Sequence, residues 1–309
     1  MVVLKEEIKD FLRYCLLRKE LDVKTVKAYR IDLSQFELFI DEAAGGVVNK
    51  ESVNKYLEYI HEKYKQKTVK RKTASIKVFY NYLLSEEIIS ENPIKAVKFK
   101  FKEDIVLPKT IPCEVIEQLL SSLYTEYRGS DEGNKKKKIL RDIAVIEFMF
   151  ATGIRISELC SLKYEEFNLN NATLCIKGKG GKERYLQIGN ESVLAIMKKY
   201  YLEFHEQINE HGYFFVNQRG GKLSDQSARR MIKARVKHAA IDMKITPHMF
   251  RHAFATLLLE EEVDIRYIQK MLGHASIVTT QIYTYVTSEK QKEILKTKHP
   301  RNKMNMESL

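Results

Sequence analysis

Two basic side chains stand one helical turn apart at the start of a predicted helix. In the segment Thr246-Pro247-His248-Met249-Phe250-Arg251-His252, threonine followed by proline predicts a helix with Thr246 at its N-cap and Pro247 in its first turn. His248 and Arg251 are three residues apart and therefore share a face of that helix. Because the free N–H groups and the dipole at a helix N-terminus favour anions, an imidazole and a guanidinium placed there suit a phosphodiester.

The same segment has two other interpretations. His248 and His252 have the spacing of a metal-binding pair, but Met249 stands where a metalloprotease motif has glutamate, and Arg251 would repel a cation. We therefore reject the metal pair and predict no metal site. An ordinary exposed helix start would be the better interpretation if the segment stood alone.

Three other parts of the chain carry side chains of matching chemistry. Arg155 and Glu158 follow Gly153, which is placed as the C-terminal cap of a predicted apolar helix over 139–152. Lys179 lies at the turn of a predicted β-hairpin, because apolar residues alternate on both sides of it. His274 follows the end of an amphipathic helix, and Tyr283 comes nine residues later.

These segments, in this order and spacing, resemble the catalytic signature of the tyrosine recombinase or phage integrase family, and their pattern is most similar to the Xer-type site-specific recombinases. The motif-bearing match runs from about 141 to 286, and the helical region before it resembles the family's core-binding domain more loosely. The resemblance implies that Glu158 supports the site. The catalytic residues that it implies are Arg155, Lys179, His248, Arg251, His274 and Tyr283.

The resemblance also implies an activity. Double-stranded DNA with a specific recombination site would be cleaved and rejoined through a 3′-phosphotyrosyl intermediate and a Holliday junction, by a homotetramer that needs no metal, ATP or other cofactor. One alternative is DNA relaxation like that of a type IB topoisomerase, and another is a non-catalytic DNA-binding or architectural protein. The target sequence, the need for an accessory protein, and the choice between chromosome dimer resolution, phage integration and transposon movement stay open.

The residue types suit this chemistry independently of the family. A tyrosine with a pKa of about 10 is protonated at neutral pH and needs a proton acceptor, for which His248 is the candidate. Guanidinium groups stabilise the charge that builds on the phosphate oxygens, Lys179 can protonate the departing 5′ oxygen, and His274 can donate a hydrogen bond. Tyr285 is the rival nucleophile, and Lys177 or Lys182 could be confused with Lys179.

Composition agrees with a nucleic-acid partner. The chain has 309 residues and a formal net charge of +12, which favours a polyanion as its ligand. Its four cysteines have no C-x-x-C spacing, so a zinc ribbon or a disulfide framework is not expected. No stretch approaches the roughly 20 apolar residues of a membrane span, and a cytoplasmic location is predicted.

The predicted fold is mainly α with a small β-sheet, and the resemblance implies that two domains form a DNA clamp. Helical periodicity predicts a helical domain over 1–97, which the resemblance implies is the core-binding, DNA-binding domain. Basic residues with Pro108 and Pro112 predict an interdomain linker over 98–112. The resemblance implies a catalytic domain over 113–288, followed by a tail over 289–309 that docks on a neighbouring protomer.

Two basic segments stand apart from the motifs. One segment of the helical domain holds a strip of basic residues with no acidic residue between them. It is predicted to contact DNA phosphates; the alternative is a helix face that is simply exposed to solvent. Its members are Lys65, Lys67, Lys70, Arg71, Lys72 and Lys77. A second segment over 128–138, rich in lysine and glycine, is predicted to be a mobile loop whose role is open.

Overall fold

The computed structural model describes residues 4–95, 97, 109–131, 133–178 and 183–273. Contacts between Cα atoms divide the chain into two compact units, Met1–Ile105 and Val106–Leu309. The described residues are mainly helical, with one small antiparallel sheet, which confirms the predicted fold class. The predicted linker, apart from its last residues, and the whole predicted tail lie outside the described residues.

In the described part of the first unit, four helices each present one apolar face to a shared core. Their bounds are α1 (Leu4–Leu17), α2 (Val23–Ala44), α3 (Lys50–Lys63) and α4 (Gln66–Ser85). Helix α2 ends at Gly45 in the left-handed conformation, which glycine adopts without strain. Asn49 and Ser52 then form a capping box that starts α3.

A buried charged cluster joins α2 to α4 and corrects one prediction. Asp32, which is fully buried, accepts hydrogen bonds from Arg71 and from the hydroxyl of Ser75, the latter at 2.8 Å. The Lys72 ammonium is buried beside it, with Asp32 Oδ1 at 3.4 Å and Gln35 as a further partner. The prediction that Lys72 contacts DNA is therefore wrong, since burying a lysine requires a carboxylate partner and removes the charge from solvent.

The second unit contains the remaining helices and the sheet. The helices are α5 (Cys113–Arg128), α6 (Asn134–Thr152), α7 (Ile156–Ser161), α8 (Glu191–His211), α9 (Asp225–His238), α10 (Pro247–Glu260) and α11 (Ile265–Leu272), and Tyr164–Glu166 form a 3₁₀ turn. The strands are β1 (Phe167–Asn168), β2 (Thr173–Lys177) and β3 (Glu183–Gln187), in that spatial order. The predicted hairpin is confirmed as β2 and β3, with Leu174 opposite Leu186 and Ile176 opposite Arg184.

The segment predicted as a basic loop over 128–138 is shorter than expected. Helix α5 continues to Arg128 and α6 begins at Asn134, so the four lysines that follow Asn134 are helical. Neighbouring side chains account for the difference: Lys137 pairs with Glu203 of α8 at 2.7 Å, and the ammonium of Lys136 lies 5.4 Å from the ring centre of Tyr127. These contacts hold the lysine-rich turn against the unit even though cations are unfavourable at a helix N-terminus.

The end of α6 requires glycine, as predicted. Gly153 has φ +58°, which favours glycine, and a Cβ built there would stand 2.6 Å from Cδ1 of Phe254 and 2.9 Å from Cδ2 of Leu272. The missing side chain therefore lets α10 and α11 pack directly onto the end of α6. This close approach sets the position of Arg155, two residues further along the chain.

Candidate active site

The two predicted site residues at the start of α10, His248 and Arg251, differ in their exposure to solvent. Thr246 is the N-cap and Pro247 opens the helix, which confirms the predicted start. His248 is exposed, whereas Arg251 is 5% exposed and faces the interior of the unit. His252 is partly buried, and its pKa is lowered mainly by this burial and to a smaller extent by the charges of His248 and Arg251.

Arg251 connects three of the motif segments. Its Nη1 donates to the carbonyl oxygen of Gly153 at 2.7 Å, and its Nη2 donates to that of Leu272 at 2.5 Å. These carbonyls end α6 and α11, where the last turn of a helix leaves carbonyls without a helical partner. The chain stretches that lead to Arg155 and to His274 are therefore brought to α10 by one buried guanidinium.

Arg155 and Glu158 form a second group at the start of α7. The backbone N–H of Arg155 donates to Oε2 of Glu158 at 3.0 Å, and its Nη1 donates to Oε1 at 2.8 Å. Glu158 is buried, whereas the Arg155 side chain is 36% exposed. Among the residues that the structure describes, Nε and Nη2 of Arg155 have no hydrogen-bond partner, so these donors are available to a ligand.

Arg184 completes this group, although the sequence motifs do not include it. It lies on β3 with its side chain 10% exposed, and it donates to both oxygens of Glu158, at 3.1 and 2.7 Å. Its Nε donates to the carbonyl oxygen of Met271 in α11 at 2.9 Å. Arg184 and the buried Leu186 are two residues apart on β3, so their side chains point to the same face of the sheet. A charged residue at a position where the alternation predicts an apolar one could have indicated Arg184 from the sequence.

The carboxyl group of Glu158 is held as an anion by its neighbours. Burial raises its pKa, but the hydrogen bonds and charge of Arg184, together with the bonds from Arg155, outweigh burial and lower the pKa below its ordinary value. The group of Arg155, Glu158 and Arg184 therefore carries one net positive charge near neutral pH. A positive, partly open site of this kind attracts a phosphate.

The other predicted site residues are not covered by the structure. Lys179, His274 and Tyr283 lie outside the described residues, and so does the rival nucleophile Tyr285. Their neighbours in the chain are described: β2 leads to Lys179, and α11 ends at Gly273 directly before His274.

A cationic cavity of about 920 Å³ lies elsewhere in the second unit, between the start of α6 and α9. Lys135, Lys138, Arg219 and Arg230 line it. The lysines come from the segment over 128–138, whose role the sequence left open.

Within the described ranges, none of the helices is both long and apolar enough to cross a membrane.

Comparison with known families identifies the class of protein. The model of the phage integrase family matches residues 110–290, and the model of the phage integrase N-terminal SAM-like domain matches residues 8–87. The chain belongs to the phage integrase family of tyrosine recombinases, and its function is site-specific DNA recombination.

Individual relatives place it among Xer-like members of the family. It is 51% identical to a tyrosine recombinase of Agathobacter rectalis over 298 residues, which cover 96% of this chain and 97% of that protein. It is 34% identical to the tyrosine recombinase XerD of Listeria monocytogenes, with 95% and 98% of the two chains covered. A crystal structure of XerH bound to its palindromic difH substrate shares the fold, with a TM-score of 0.76, 22% identity, and coverage of 94% and 83%.

Proposed function

We propose that this chain cleaves and rejoins duplex DNA with Tyr283 as its nucleophile, while Arg155 and Arg251 bind the scissile phosphate. The observation that carries the proposal is the pair of bonds from Arg251 to the carbonyls of Gly153 and Leu272. They bring separate sequence motifs to one place in the second unit. The available donors of Arg155 support the same conclusion, since a phosphate oxygen can accept them.

The proposed reaction needs a balanced exchange of one bond for another. The phenol oxygen of Tyr283 attacks phosphorus, its proton passes to His248, and the bond from phosphorus to the 5′ oxygen breaks. Lys179 protonates the departing 5′ oxygen, and His274 donates a hydrogen bond to the phosphate. A 3′-phosphotyrosyl ester and a free 5′ hydroxyl result. The free 5′ hydroxyl of a partner strand then gives its proton to Lys179 and attacks the phosphorus, the bond from phosphorus to Tyr283 breaks, and His248 returns the proton to the phenol oxygen. Such exchanges form and then resolve a Holliday junction. Because the ester keeps the bond energy, neither ATP nor a metal is required.

The proposed assembly is a homotetramer on two copies of the recombination site. A lambda integrase tetramer has been solved on a Holliday junction, and it shares the fold of this chain with a TM-score of 0.68 and 16% identity. We propose that the domain over 1–97 and the domain over 113–288 hold opposite faces of the DNA, joined by the linker over 98–112. The tail over 289–309 would dock on a neighbouring protomer, and the reaction would take place in the cytoplasm.

Strand exchange without metal tests this reaction. Fragments of host DNA that become covalently attached to the protein can be sequenced, and the shared segment cloned twice into one plasmid. We expect excision between the two copies in excess EDTA and without ATP, and no exchange in a plasmid that lacks the segment. A requirement for a divalent cation would contradict the proposal. Relaxation of both plasmids without exchange would favour the topoisomerase-like alternative.

The salt dependence of DNA binding tests the basic strip of α4. Lys65, Lys67 and Lys77 are exposed in the first unit, where their charge can reach phosphates. Each phosphate contact that is lost should reduce the slope of log Kd against log salt concentration by about 0.9. We therefore expect Lys65→Gln with Lys67→Gln to reduce the slope by about 1.8 if both contact DNA.

Lys72→Met is the matched control for this measurement. It removes one positive charge from the same helix, but that charge is buried beside Asp32. The slope should therefore keep its wild-type value, measured on folded protein. An equal fall in slope for the control, or none for the double variant, would show that the exposed lysines do not bind phosphates.

A further inference from the structure

Arg184 uses three nitrogens to join three elements of the second unit. Nη1 and Nη2 bind the two oxygens of Glu158 on α7, and Nε binds the carbonyl oxygen of Met271 on α11. The arginine itself belongs to β3, the strand that follows the segment with Lys179. We infer that Arg184 is a positioning residue for DNA cleavage, which fixes the direction of Arg155 through Glu158 and the end of α11 through Met271. This inference rests on the proposed function.

The first part of the inference concerns the direction of Arg155. Each oxygen of Glu158 accepts one bond from Arg155 and one from Arg184, so the carboxylate cannot rotate without losing bonds on both sides. The Nη1 atom of Arg155 is thereby held in one place while Nε and Nη2 stay available. Fixed donors stabilise charge in a transition state better than mobile ones, because they need no reorganisation during the reaction.

The second part concerns charge. If Glu158 faced Arg155 alone, the carboxylate would neutralise the guanidinium that has to attract a phosphate. Arg184 supplies a second positive charge to the same carboxylate, so the group of three keeps a net charge of +1. Arg184 is 10% exposed, which makes Arg155 the part of this group that a ligand can reach.

The third part concerns the end of α11. Gly273 has φ +65°, and a Cβ built there would lie 3.0 Å from Cδ of Arg184. The bond to Met271 and this close approach define where α11 ends. His274 follows that end directly, and Tyr283 comes nine residues after His274. One side chain therefore fixes both Arg155, through Glu158, and the end of α11, through Met271.

Stability alone does not account for the arrangement. Removing two charges from water is costly, and well-packed apolar residues in place of a buried ion pair are often as stable or more stable. A leucine or methionine at position 184 would continue the apolar face formed by Ile176 and Leu186. The position holds an arginine with all of these bonds satisfied, as expected where geometry and charge are needed.

The test compares Arg184→Gln and Arg184→Lys with Arg266→Gln in the full chain. Arg266 is a matched control because it also pairs with a carboxylate, that of Asp264, but its side chain is 76% exposed. The probe is the DNA segment recovered by covalent attachment, nicked so that cleavage cannot reverse. We expect cleavage in a single turnover to be about 100-fold slower for Arg184→Gln, because displacement of a positioned group by about 1 Å has an effect of that size. The control Arg266→Gln should match the wild type both in cleavage rate and in DNA affinity.

The pH dependence gives a readout that a merely structural role would not change. With Arg184 present, the pKa of Glu158 is lowered, so its carboxylate persists in mildly acidic solution. Without Arg184 the effect of burial remains and the largest opposing effects are lost, so the pKa rises. Cleavage by Arg184→Gln should therefore fall further as the pH decreases from 7 towards 5, whereas the wild type and Arg266→Gln should not show this additional loss. A profile parallel to that of the wild type would overturn the inference.

Two further variants keep the test decisive. Arg184→Lys retains a cation beside Glu158 but cannot bind both of its oxygens and Met271 at once, so we expect cleavage between the wild-type and Arg184→Gln rates; a wild-type rate would overturn the inference even if Arg184→Gln failed to fold. The double variant Glu158→Gln with Arg184→Gln should lose less than the two single losses multiplied together, because the effect that passes through Glu158 is shared, while the effect through Met271 is lost only with Arg184. Fully multiplicative losses would contradict action through Glu158. Tyr283→Phe is measured in parallel. If the wild type forms no adduct that depends on Tyr283, the proposed function fails. If the wild type forms the adduct normally and the Arg184 variants cleave at the wild-type rate, this inference alone is overturned.

Discussion

Replacing Tyr283 with phenylalanine should abolish the covalent protein–DNA adduct while leaving DNA binding intact. The substitution removes one oxygen and keeps the ring, so packing changes little and the nucleophile is lost completely. The measurement uses a nicked DNA substrate, on which the wild type should accumulate an adduct that survives denaturing electrophoresis. No adduct should be visible with Tyr283→Phe at any time of incubation.

Tyr285→Phe is the control for this result, since it removes the same atom two residues further along the chain. It should form the adduct at a rate near that of the wild type. If the adduct persisted in Tyr283→Phe and disappeared in Tyr285→Phe, the nucleophile would be Tyr285. If both variants formed it, the nucleophile would be a different residue altogether.

Replacing Arg155 with glutamine should slow cleavage in a single turnover by about 10²–10³-fold, the usual loss for one donor of an oxyanion site. Glutamine keeps the polar character of the position but removes the charge and the guanidinium donors that face the proposed phosphate. The loss should appear in the cleavage step, which quenched samples on denaturing gels follow directly.

The fold should tolerate this change. Glu158 keeps both bonds to Arg184 when the Arg155 side chain is removed, so its carboxylate is not left buried without a partner. The melting temperature should therefore fall by only a few degrees. Arg266→Gln is again the matched control and should cleave normally. A wild-type cleavage rate for Arg155→Gln would remove this arginine from the proposed site.

Patterns within one segment of the chain were enough to predict much of the second unit. The threonine and proline before His248 start α10, Gly153 ends α6, and alternating apolar residues form the β2–β3 hairpin. Capping and strand alternation depend on residues a few positions apart, and the sequence displays them directly. The prediction of a loop over 128–138 is wrong from Asn134 onward, where α6 begins, because the contacts of its lysines with Tyr127 and Glu203 cross between elements.

The amino-acid sequence by itself determined the family, the mainly helical class and the residue types that suit phosphate chemistry. Only the tertiary structure decided which charges face solvent and which are buried with a partner. Lys72 looks like its exposed neighbours in α4 until α2 brings Asp32 beside it, and Arg184 looks like an ordinary hairpin arginine until α7 and α11 place Glu158 and Met271 around it. The physical reason is that the free energy of a charged side chain depends on the groups that surround it in space, and those groups lie tens of residues away along the chain.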